Sequence, residues 1–258
     1  MTEEEKIEIL VSTKVPEEPV GWLETELPKS VMSRLQSYIE MAKNTPINWN
    51  NELAGNISKS LILEDKDGWF FKTILIALIN KFLETFPSYF KLGQSKSTPF
   101  SQKNTLMKHL LSEIFVLEPF WVNFQKETEF NPIHSHSGVF SFVIWVKIPT
   151  DWREQHALPF LAKSNSPCAS DFEFHYTTML GEIGRHTYCL DKKSEGFMLF
   201  FPAKLKHIVY PFYNCDKERI SISGNILFDP SENAMKQLRF SKKEFLFLEI
   251  FVLITSNL

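Results

Sequence analysis

The sequence predicts a mainly β protein with an α-helical N-terminal region, its strands closed into a barrel or jelly roll. Three observations carry this. From Phe120 onward, short apolar runs are separated by Gly, Pro, Asn and Asp: 121–124, 138–148, 172–180, 196–201, 207–210 and 219–228. No helix-length periodic segment lies between these runs, as a parallel α/β sheet would require. The helical periodicity that does exist falls before residue 118. The chain therefore divides into a helical region over 1–118, a β domain over 119–230 and a C-terminal tail over 231–258.

A chain of 258 residues is long enough to bury a substantial core. With 28 Lys+Arg against 31 Asp+Glu the formal charge is −3, so no global basic field draws it to nucleic acid. The three cysteines, Cys168, Cys189 and Cys215, have no CxxC spacing, which argues against a disulfide framework or a cysteine zinc site. An acidic N-terminus, Met1-Thr-Glu-Glu-Glu-Lys6, is unlike a secretory signal, and the chain reads as cytoplasmic. The apolar run 245–254 is shorter than a bilayer span and contains Glu249.

Taken in order, 17–30 reads as a surface segment that Trp22 and Leu23 pin to the body. Residues 30–43 place Val31, Leu35, Tyr38, Ile39 and Met41 near helical spacing behind a serine cap. Residues 48–56 are rich in turn formers. Asp67 opens, and Pro87 closes, a largely buried helix. A polar loop follows over 94–103, then a helix over 105–118 whose His109 has no second donor nearby. Trp145 and Phe142 read as core, and His156, His175 and His186 as structural or exposed.

The chemistry gathers around Asn131-Pro-Ile-His134-Ser-His136-Ser-Gly138. Two histidines one residue apart at the start of a strand project to one side, which makes them a ligand pair. His207, flanked by Pro202 and Pro211 on a short strand, supplies a third imidazole. Imidazole suits iron, copper, nickel and zinc alike. Arg219 and Ser221 share a strand face, and a guanidinium with an adjacent hydroxyl clamps a carboxylate. A salt bridge to Asp216 or Glu218 is the plainer role for Arg219. Asn131 either contacts a bound keto acid or substrate, or shapes the turn before Pro132.

The ordered set Trp121-Val-Asn123, Asn131-Pro-Ile-His134-Ser-His136, Pro202-Ala-Lys-Leu-Lys-His207 and Arg219-Ile-Ser221 resembles the Fe(II)/2-oxoglutarate-dependent oxygenase superfamily, in a small branch of bacterial and bacteriophage type. The resemblance covers roughly residues 118–230. It implies a double-stranded β-helix of cupin-like, jelly-roll type and a dioxygenase that oxidatively decarboxylates 2-oxoglutarate to succinate and CO₂ while hydroxylating a substrate. It implies Fe(II) at His134 and His207, and 2-oxoglutarate bound through Arg219 and Ser221. His136 departs from the pattern, since most members carry a carboxylate there. The third imidazole makes His134, His136 and His207 the metal and catalytic set, with Asp171 or Glu173 as alternative carboxylates. The primary substrate, whether protein side chain, nucleotide or metabolite, is not legible. Two competing classes remain: a three-histidine cupin-type oxygenase without keto acid, and a non-catalytic jelly-roll binding module.

Overall fold

The computed structural model describes residues 21–86, Tyr89 and residues 112–231. The loop expected over 94–103, His109 and the apolar run 245–254 lie outside the described residues. Among the described residues no helix is long and apolar enough to cross a membrane.

Among the described residues, ten strands form two antiparallel sheets. The six-stranded sheet runs in the order β1 (Leu23–Glu26), β8 (Phe197–Pro202), β5 (Phe140–Lys147), β10 (Arg219–Phe228), β3 (Phe115–Gln125) and β2 (Ser60–Ile62). The four-stranded sheet runs β4 (Asn131–His134), β9 (Lys206–Val209), β6 (Phe172–Thr177) and β7 (Ile183–Tyr188). This is the double-stranded β-helix that the sequence leads one to expect.

The large sheet is covered on both faces, which explains why its central strands are continuous apolar runs. Alternation divides them. Phe140, Phe142 and Ile144 of β5, with Met198 and Phe200 of β8, face the N-terminal helices. Val143 and Trp145, with Leu199 and Phe201, face Phe172 and Phe174 of the small sheet. The helices bind the outer face through aromatic rings. Phe82 lies 5.0 Å from Phe140 and 6.1 Å from Phe200, and Phe70 stacks on Phe120 at 5.7 Å.

Helix α1 (Lys29–Asn44) buries Val31, Leu35, Tyr38 and Ile39 as expected, but Ala42 takes the buried place expected of Met41. Ser30 does not cap it. Pro28 occupies the cap position, and its carbonyl accepts from the Val31 and Met32 N–H groups. The second helical stretch runs through a π segment, Phe71–Leu75, into α2 (Ile76–Thr85). Its capping acid is Asp65 and not Asp67: the Asp65 carboxylate accepts from the Phe70 and Phe71 N–H groups at 2.8 Å each. Asp67 instead sits at φ 59° in the preceding tight turn.

Three strands replace expected irregular or helical structure, the first being β1, which lies inside the segment read as surface and pairs with β8. Phe115 to Glu118, read as the end of a helix, belongs to β3, because Phe115, Val116 and Leu117 pair with Phe228, Leu227 and Ile226. Ladder bonds to β10 outweigh local helical periodicity there. β7 carries no apolar alternation, since it is an edge strand with mostly exposed side chains. A short helix α3 (Trp152–His156) is capped by Asp151, whose carboxylate accepts from the Arg153 N–H at 2.8 Å.

Phe82 is fully buried and joins α2 to both β5 and β8. Phe82→Ala is expected to cost about 3–5 kcal/mol, read as a lowered urea midpoint. A loss below about 1 kcal/mol would show that the helices are not integral to the sheet's stability.

Candidate metal centre

β4 ends at His134, and its antiparallel pairing with β9 sets His134 directly opposite His207. His136 lies beyond β4, so no strand alternation places it. Its backbone N–H donates to the Ala203 carbonyl at 2.8 Å, and that tertiary bond turns the ring back toward its partners. Gly138 follows at φ 93°, where a Cβ would approach the Ile226 carbonyl oxygen to 2.8 Å. Glycine alone makes this turn into β5 without strain.

The three imidazoles converge. Ring centroids are 4.2 Å apart for His134 and His207, and 5.0 Å for each of the other two pairs. One ligating atom from each lies within 4.8 Å of the others. The Nδ1 of His134 lies 2.7 Å from the Pro132 carbonyl oxygen, and that of His207 lies 3.0 Å from the Leu205 carbonyl oxygen. Carbonyls only accept, so both Nδ1 atoms carry the proton and both Nε2 atoms present lone pairs. The Nε2 atoms of His136 and His207 face each other at 3.2 Å.

Burial lowers the pKa of all three: His136 falls to about 3, with His134 adding repulsion, and His207 falls well below the ordinary imidazole range. At neutral pH the cluster is therefore uncharged, as metal ligation requires. Phe172, Phe174 and Phe201 pack around His207 and account for its desolvation. Three neutral imidazoles with converging lone pairs fit a first-row transition metal, Fe(II) included.

Neither carboxylate named as an alternative ligand joins the cluster. Asp171 bonds His156 Nε2 at 2.8 Å. Glu173 accepts from the Thr187 hydroxyl at 2.7 Å and lies 2.7 Å from His175 Nε2. Asp171, His156 and Cys189 bring their own ligating atoms within 4.8 Å of one another, and none of the three lines the central cavity. His186 packs beside the Trp22 ring.

The triad opens into a cavity of about 360 Å³. One wall is a polar stripe in strands that are otherwise apolar: Trp121, Asn123 and Gln125 on β3, and Ser221, Ser223 and Asn225 on β10. Trp49, Glu52, Leu53 and Ala54 from the loop before β2 contribute another part. Asn131 lines the cavity too, and its buried Oδ1 has no partner.

Arg219 is 2 % exposed and does not line the cavity, although it continues the stripe one step beyond Ser221. Its Nε donates to Gln125 Oε1 at 2.9 Å, and its two Nη atoms donate to the Ser170 and Tyr210 carbonyls at 2.7 Å each. It forms no salt bridge with Asp216 or Glu218. Burial lowers its pKa to about 10, with Asp171 acting in the opposite sense, so the guanidinium stays charged at neutral pH. Two of its five N–H groups carry no bond, and Gln125 stands between it and the cavity.

The sequence pointed to His134, His136, His207, Asn131 and Ser221, which the structure gathers around one cavity, and to Arg219, which lies one layer behind its wall. It did not single out Gln125, Ser223 or Asn225. Their signal was present as polar residues at every second position of apolar strands.

Residues 119–225 match the family model described as "Putative 2OG-Fe(II) oxygenase". This stretch contains every residue of the histidine centre and of the polar stripe. No curated protein matches the chain. Similar solved structures include a prolyl-4-hydroxylase of Pseudomonas putida, at 13 % identity and TM-score 0.44, covering 82 % of this chain and 93 % of that one. They also include the carbocyclase SnoK from nogalamycin biosynthesis, at 7 % identity and TM-score 0.47, covering 81 % and 79 %. A Trichoplax adhaerens prolyl hydroxylase, solved with a hypoxia inducible factor peptide, is similar at 11 % identity and TM-score 0.41, covering 86 % and 87 %.

Acid should destabilise the metal-free protein. Unfolded imidazoles protonate near ~6.5 while the folded ones resist, so the unfolded state binds more protons and stability falls as pH drops below ~6.5. Asp171, raised to about 6 by burial although His156 acts in the lowering sense, works in the opposite direction but is one group against three. Urea midpoints at pH 7 and at pH 5 test this; a higher midpoint at the lower pH would refute the neutral triad.

Proposed function

We propose that this protein is a hydroxylase in which His134, His136 and His207 hold Fe(II) and 2-oxoglutarate lies along the polar stripe. The observation that carries this reading is the convergence of three uncharged imidazoles on a polar-lined cavity. When bound there, iron supplies oxygen activation coupled to decarboxylation of 2-oxoglutarate to succinate and CO₂.

The chain's own residues do the rest. The Pro132 and Leu205 carbonyls fix the tautomers of His134 and His207, which keeps both Nε2 atoms ready as donors. Phe172 and Phe201, lining the cavity beside His207, keep water from the centre. Ser221 offers its hydroxyl to the distal carboxylate of 2-oxoglutarate. Arg219, immediately behind Gln125, supplies the positive charge at that end and binds the carboxylate directly once Gln125 yields. Asn131, whose buried Oδ1 is an unmet acceptor on the cavity wall, accepts from a donor group of the primary substrate or contacts the keto acid through its amide NH₂ instead. The substrate, a protein side chain, nucleotide or metabolite, occupies the part of the cavity walled by the loop of Trp49 and Leu53.

Anaerobic addition of Fe(II) and then 2-oxoglutarate should produce a visible charge-transfer band that needs both. Iron uptake with indifference to 2-oxoglutarate would instead indicate an oxygenase that binds its substrate directly. His207→Ala should abolish stoichiometric Fe(II) uptake. Ser221→Ala and Arg219→Lys should leave iron bound and weaken 2-oxoglutarate by about tenfold, equivalent to ~1.4 kcal/mol. Lysine is the informative replacement, because removing a fully buried charge outright would also unpair the Ser170 and Tyr210 carbonyls. Unchanged keto-acid affinity in both variants would move the distal carboxylate elsewhere.

A further inference from the structure

We infer that the Trp121 indole N–H donates to a carboxylate oxygen at the keto-acid end of 2-oxoglutarate, opposite the end addressed by Ser221 and Arg219. The inference rests on the proposed 2-oxoglutarate chemistry and adds a positioning residue to it.

Trp121 is 3 % exposed, lines the cavity, and its Nε1 has no hydrogen-bond partner among the described residues. An indole nitrogen can only donate, so it cannot be satisfied by a neighbouring donor, and leaving it buried and unpaired is unfavourable. A ligand acceptor resolves the deficit. The ring centroid is 5.9 Å from that of His136, which puts the indole beside the metal centre.

Register separates it from the other carboxylate. On β3 and β10 the pairs run Gln125 with Arg219, Asn123 with Ser221, and Trp121 with Ser223. Four residues along a strand, from Gln125 to Trp121, span about 13 Å, so one carboxylate cannot reach both ends. The donors around Trp121 are neutral. Asn123 Oδ1 accepts from Ser60 and Asn225 Oδ1 accepts from Ser141, which leaves their amide NH₂ groups as the functional side toward the cavity. Among the described lining residues there is no lysine or arginine, and Glu52 alone carries a formal charge. Apart from the metal, the carboxylate beside the triad is therefore met by neutral hydrogen-bond donors of the protein, and Trp121 is the donor with its bond still to make.

Trp121→Phe removes the N–H and keeps an aromatic ring. The measurements are titrations of the anaerobic Mn(II)-loaded protein with 2-oxoglutarate and with 2-oxopentanoate, which retains the keto-acid end but lacks the distal carboxylate. Trp121→Phe should weaken both ligands roughly tenfold, as loss of a bond to a charged acceptor implies. The melting temperature of the ligand-free protein should be unchanged or raised, since an unpaired buried donor has gone. Ser221→Ala should weaken 2-oxoglutarate alone. Equal affinities in wild type and Trp121→Phe overturn the inference, as does weakening of 2-oxoglutarate without 2-oxopentanoate, which would place the indole at the distal end. If the wild type binds neither acid, the proposed function fails instead. A wild-type measurement covers the case of a misfolded variant: the Trp121 indole ¹⁵N–¹H resonance of the Zn(II)-loaded protein should shift downfield on addition of either acid, and no shift overturns the inference.

Discussion

The pairing of β4 with β9 is the constraint on which the site depends. It sets His134 opposite His207 and buries His207 among the phenylalanines of the two sheets. Three imidazoles so close, with their free lone pairs turned inward and no acid among them, cannot satisfy one another fully. A cation with several open coordination positions satisfies all three at once. The ladder between two short strands thus becomes a chemical demand at the centre of the barrel.

The remaining architecture serves to hold that ladder still. The large sheet is sandwiched, with helices on one face and the small sheet on the other, so neither β5 nor β8 can slip without exposing a full face of aromatic side chains. Against this apolar frame the polar stripe on β3 and β10 stands out, because its buried amides had to find partners. Asn123 finds Ser60, Asn225 finds Ser141, and Gln125 finds Arg219. Trp121 and Asn131 each leave an atom unpaired, and both line the cavity. Unpaired polar atoms buried in an otherwise satisfied wall mark where a ligand belongs.

Much of this was legible in the sequence. The β texture after residue 118 and the pair at His134 and His136 are local patterns, as are the short strand around His207 and the Arg219-Ile-Ser221 face. Strand period and turn residues suffice to read them. The missing third carboxylate was equally visible as His136. Other features were not. β7 has no apolar alternation because its side chains face water. The true cap of the second helix, Asp65, lies two residues before the acid that local spacing favours, because the chain takes an extra turn at Asp67.

By itself, then, the sequence determined the fold class and singled out three imidazoles of a kind that can ligate a metal, since these follow from side-chain type and short-range periodicity. Only the tertiary structure decided three further matters. It turned His136 inward through the Ala203 carbonyl, it spent Arg219 on Gln125 and two backbone carbonyls behind the cavity wall, and it left the Trp121 N–H unpaired beside the triad. The reason is common to all three: which partner a buried polar group finds depends on residues far away in the chain, and hydrogen-bond satisfaction is settled only when the two sheets close on each other.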